Sequence, residues 1–159
     1  MNFKKINSSM VLFDKKYNYQ TQLKTFREKY GNNFVFFNKE ITDENFSKSA
    51  IVPMGTETWE VDIILIKREV TVQECVTYFL REENARFTSP QGLSFIYQNY
   101  RKILPAEGKI FAIHSKEYLL SEGGDYLIPY ININKKFLIF NLALLSAPLE
   151  EGDYLIYLK

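Results

Sequence analysis

Over residues 58–68 the chain alternates: Trp59, Val61, Ile63 and Leu65 lie on one side, and Glu60, Asp62, Ile64 and Ile66 on the other. Only an extended strand sends successive side chains to opposite faces. The first face reads as buried along its whole length. The second passes from wet to covered. A sheet is therefore the frame of this fold, and the other segments are read by how they build on it.

The clearest local signal follows at once. Thr71 and Glu74 stand at capping-box spacing: the threonine hydroxyl accepts from the Glu74 N–H, and the glutamate reaches back to the Thr71 N–H. The helix behind it carries Val72, Cys75, Val76, Phe79 and Leu80 as one apolar stripe. Ser89 and Pro90 read as N-cap and first residue of another helix, with Leu93, Ile96, Tyr97 and Tyr100 on its stripe and Pro105 as its stop. An earlier helix is expected over 18–30, with Tyr19, Leu23, Phe26 and Tyr30 on one face and Gly31 closing it in the left-handed conformation.

Strands are expected at 10–13, 34–37, 109–114, 126–133, 137–142 and 154–158, with a surface loop over 38–53 and a turn at Gly123 and Gly124. Pro129 lacks an N–H to donate, so the 126–133 strand is expected at a sheet edge. The order gives an α+β class: a mostly antiparallel sheet covered on one face by about three helices, as a single domain over 1–159. The two middle helices are expected to form an αα-hairpin lying on that sheet.

With 46% hydrophobic and 25% charged residues the chain matches folded domains, so disorder is not expected. It holds 13 Phe, 11 Tyr and 1 Trp, and it is rich in Asn and Lys. All four abundant types have AT-rich codons, so genome composition accounts for them before function does. The net charge is +1 and no run of five like charges occurs, which argues against nucleic acid as a partner. One cysteine and one histidine rule out an internal disulfide and leave too few ligands for a structural zinc site; no metal and no cofactor are expected. Asn7, Ser8 and Ser9 interrupt any apolar signal core, and no apolar run is long enough to span a bilayer, so a cytoplasmic protein without membrane contact is expected.

Few residues point to chemistry. Cys75, His114 and Asp125 occur in an order compatible with a thiol-hydrolase triad, with the thiol in a helix's first turn, where the dipole lowers its pKa. On its apolar stripe with Val72, Val76 and Phe79, Cys75 reads first as a small core residue, which needs no chemistry. Glu107, Gly108 and Lys109 form an acid-x-Lys string that Glu60 or Asp62 would complete as a metal-nuclease centre, although glycine and Pro105 make it a turn. Tyr97, Tyr100, Arg101 and Lys102 interleave aromatic and basic groups as single-strand binders do, but the tyrosines fall on the core stripe. No phosphate-loop, dinucleotide, nucleophile-elbow or zinc-protease motif occurs.

The segments 91–105, 110–113, 127–131 and 154–159 resemble small uncharacterised bacterial proteins that share a helix ending in proline, a strand, an Ile-Pro-Tyr strand and a short hydrophobic end. That resemblance carries no activity. The residues favour a non-catalytic protein-binding or regulatory domain, in a mobile-element, phage or secretion setting. Its expected contact is the 126–133 edge at Tyr126, Tyr130 and Ile131, open to a partner protein's strand or to a second copy of the chain. The alternative is a small thiol- or carboxylate-based hydrolase.

Overall fold

The computed structural model describes residues 1–81, 85–113 and 126–159. Among them, eight strands form one sheet: β1 (Phe3–Phe13), β2 (Phe36–Phe37), β3 (Glu57–Ile66), β4 (Arg86–Phe87), β5 (Gly108–Ala112), β6 (Leu127–Ile133), β7 (Leu138–Leu144) and β8 (Tyr154–Leu158). The helices are α1 (Gln22–Tyr30), α2 (Val72–Arg81) and α3 (Ser89–Asn99). The strands run in the order β1-β3-β8-β5-β6-β7-β2, and β4 pairs β8 off this path. Only β5 with β8 and β2 with β7 are parallel. The class is α+β with a mostly antiparallel sheet.

The last strand lies inside the sheet, between β3 and β5. Leu155, Ile156, Tyr157 and Leu158 are all buried, without alternation, because β8 is covered on both faces. On the first face Val61, Ile63, Ile110, Ile131, Phe140, Ile156 and Leu158 pack with Leu23 and Phe26 of α1 and Leu93, Phe95 and Ile96 of α3. On the second, Ile64, Ile66, Phe111, Leu155 and Tyr157 pack with Val72, Cys75 and Phe79 of α2. The three helices therefore divide between the faces, where one covered face was expected. The reason is β4: Arg86 and Phe87 pair with Leu158 and Tyr157, so the chain passes through the plane of the sheet between α2 and α3. That passage also replaces the expected αα-hairpin.

Local expectations changed where tertiary contacts offered an alternative. Gly31 has φ −53°, and the chain tightens into a 3-10 turn over Gly31–Asn33 rather than closing left-handed. The expected buried strand at 34–37 reduces to β2 at Phe36–Phe37, with Val35 exposed. Ser89 makes no cap bond; it takes φ +58°, and Thr88 donates to the Ile156 carbonyl at 3.0 Å, tying the start of α3 to β8. Residues 38–53 carry no regular strand, yet Ile41, Phe46 and Ile51 are buried. Asp43 from this segment accepts the Leu23 and Lys24 N–H groups at 2.9 and 3.0 Å, so the N-terminus of α1 is capped from a distance. Arg27 of α1 in turn donates to the carbonyls of Asn38 and Ile41.

Candidate partner-binding surfaces

The positions singled out by sequence fall in several places. Cys75 is fully buried against the second face. Burial first, then the Glu74 carboxylate, pushes its thiol up to about 12. The helix dipole does not make it a thiolate. His114, Asp125, Gly123 and Gly124 lie outside the described residues. Tyr126 and Tyr130 are half-buried and Ile131 is fully buried. Their strand is not an edge: β6 lies between β5 and β7. Pro129 is accommodated because pairing with β5 ends at Phe111 opposite Tyr130, one residue short of the proline. Tyr130 packs on Phe111 with ring centroids 5.1 Å apart.

The acid-x-Lys string is not brought to an acid of β3. Lys109 precedes Ile110, which pairs Tyr154 at the start of β8, while Asp62 pairs Tyr157 near its end. Asp62 instead meets Lys5 at 2.9 Å and Lys159 at 3.3 Å, with its side chain fully buried. The Ser8 hydroxyl lies 2.5 Å from Asp62 and 2.7 Å from Glu60, and its single proton serves one of them at a time. Burial alone would raise the Asp62 carboxyl; Ser8, Lys5 and Lys159 outweigh it and hold the group below its ordinary range. A carboxylate so held is a poor base and has no proton to give. This cluster fastens β1 to β3 and β8. Among the described residues no three His, Cys, Asp or Glu side chains form a metal-ligating group.

Among the described residues the open edge of the sheet is β1, eleven residues long and paired only with β3. The sequence pattern marks only its last residues, because the polar Lys4, Lys5 and Ser8 hide the alternation. A bulge between Lys5 and Asn7 breaks the register of its first half. From Ile6 to Phe13 no charge occurs. The Leu12 N–H turns away from β3 to the Tyr100 hydroxyl at 3.1 Å. Alternation turns the N–H and C=O of Met10 and Ser8 the same way. Val11 and Phe13 enter the first-face core, so Met10 and Leu12 project on the other side, 60% and 39% exposed. At the opposite edge, β2 is only two residues long.

A second surface is an open groove of about 890 Å³ on the first-face side. Its walls are Arg101, the 105–107 segment and the β6–β7 turn with Lys135 and Lys136; Tyr97, Ile133 and Tyr154 line it, and Ile6 of β1 stands at it. The Arg101 guanidinium lies 5.3 Å from the Tyr97 ring centroid and makes a long contact, 3.4 Å, with the Pro105 carbonyl. Gly108 belongs to this architecture. Its φ is +118°, and a Cβ there would stand 2.8 Å from the Tyr154 ring.

No protein-family model, curated protein or solved structure matches this chain.

Proposed function

We propose that this chain is a non-catalytic protein-binding or regulatory domain, acting in the cytoplasm, that receives an extended segment of a partner protein along β1. The observation that carries the reading is the uncharged second half of that strand, where outward backbone groups at Ser8 and Met10 lie beside the exposed Met10 and Leu12 side chains, up to Leu12, whose outward N–H and C=O meet the Tyr100 hydroxyl. An added strand would pair those groups and cover those side chains, the mode by which sheet edges take peptides. Folded proteins usually blunt such an edge with charge, proline or a bulge. Here Lys4, Lys5 and the bulge blunt only the first half. A cytoplasmic setting suits a chain whose single cysteine allows no internal disulfide, and no helix among the described residues is long and apolar enough to cross a membrane. A thiol-hydrolase role loses its support with Cys75 buried and its pKa raised.

The test is Met10→Lys, which places a charge on the edge at an exposed position and leaves stability within about 0.5 kcal/mol. Tagged wild-type and variant proteins are compared in pull-downs from the native cell lysate, with circular dichroism as the check on folding. A stoichiometric protein retained by the wild type and lost by the folded variant is expected. Retention of the same protein by both refutes the edge.

A further inference from the structure

The groove beside Arg101 offers a different chemistry from the β1 edge. Three cations, Arg101, Lys135 and Lys136, line it against one carboxylate, Glu107, in a chain whose overall charge is nearly balanced. Glu107 and Lys135 stand 3.9 Å apart and both are largely exposed, so that pair is weak and readily exchanged for another anion. The Arg101 guanidinium stands 5.3 Å from the Tyr97 ring centroid and 3.4 Å from the Pro105 carbonyl, on the wall of the groove. The rest of the lining mixes Ile6, Ile133, Phe137, Leu138 and Tyr154 with the amides Asn33 and Asn134.

We propose that this groove binds a carboxylate-rich, extended peptide segment with an apolar or aromatic side chain among its acids. The inference rests on the protein-binding reading above and specifies the partner's chemistry at a second surface. Charge complementarity selects the acids. The apolar lining selects the side chain between them. Ile6, at the β1 bulge next to the docking half of that strand, also lines the groove, so the two surfaces lie on neighbouring parts of the fold.

Single-stranded nucleic acid would use the same cations but needs free ring faces for its bases. Those of the tyrosines are engaged. Tyr97 carries the Arg101 guanidinium and packs with Phe26 and Phe34 in the core. Tyr154 lies against Gly108. A peptide carboxylate requires no stacking platform.

The experiment is fluorescence anisotropy with a labelled peptide, Glu-Glu-Phe-Glu-Glu, titrated with the purified full chain. Its glutamine counterpart and a thymidine oligonucleotide of similar length are run beside it. The acidic peptide is expected to bind, to weaken as salt is raised, and to outbind the glutamine peptide. The double reversal Lys135→Glu, Lys136→Glu lies in an exposed turn and is expected to weaken binding about tenfold. The control reversal Lys15→Glu, Lys16→Glu, also exposed, leaves binding unchanged. The probe is too short to form a ladder along β1, so Met10→Lys also leaves its binding unchanged. Failure of the groove and failure of the β1 reading are thus separate results. The proposal is overturned if the acidic peptide does not bind, if both reversals weaken it equally, or if the oligonucleotide binds in its place.

Discussion

Replacing Asp62 by Asn removes a negative charge with almost no change in volume. Both Lys5 and Lys159 then lose the anion they share, and an amide takes the carboxylate's place among them. Deleting one member of a fully buried ion pair costs about 3–5 kcal/mol. Here the two lysine side chains are 37% and 23% exposed and regain water, so the cost is lower, about 2 kcal/mol. With a urea slope of about 2 kcal/mol per molar, the midpoint falls by about 1 M at neutral pH. The pH dependence carries a definite sign. A carboxyl held below its ordinary range in the fold stabilises at pH values above its unfolded pKa of about 3.9, and that contribution is lost as pH falls through the lower folded value. Asp43 and Asp153, both raised chiefly by burial, act in the opposite sense but are common to both proteins. The gap between wild type and Asp62→Asn is therefore full near pH 7 and closes below about pH 4. Urea unfolding of both proteins across that range measures it. Equal stability at pH 7, or a gap that does not close in acid, refutes the account of Asp62 as an ionised anchor of β1.

Cys75 is expected to resist iodoacetamide at pH 8 in the folded protein and to react fully in denaturant, read by mass spectrometry; rapid native alkylation would mean the thiol is not in the core. Gly108→Ala is expected to destabilise by about 1–3 kcal/mol, because the backbone is left-handed and the new methyl meets the Tyr154 ring. Thermal melting checks this, and an unshifted melt would show that the ring moves aside freely.

Local features of this chain are legible in its residue pattern. The alternation over 58–68 forms β3, and the capping box forms as spaced, with Thr71 N–H to Glu74 at 2.7 Å and Glu74 N–H to Thr71 at 3.1 Å. Tyr154–Leu158 reads as a strand and folds as one. These depend on hydrogen bonds and side-chain periods within a few residues, so the sequence alone determines them. Strand order depends on which distant segments pair, and periodicity is silent on that. It could not place β8 between β3 and β5, put β6 between β5 and β7, or send α2 to the opposite face through β4. The surfaces proposed for binding share that limit. Polar Lys4, Lys5 and Ser8 conceal the alternation of β1, and Arg101, Lys135 and Lys136 line one groove only because the fold brings the end of α3 to the β6–β7 turn. Asp62 can be read as an acid on a strand. That it is buried between Lys5 and Lys159, from near the two ends of the sequence, was decided by the pairing of β1, β3 and β8.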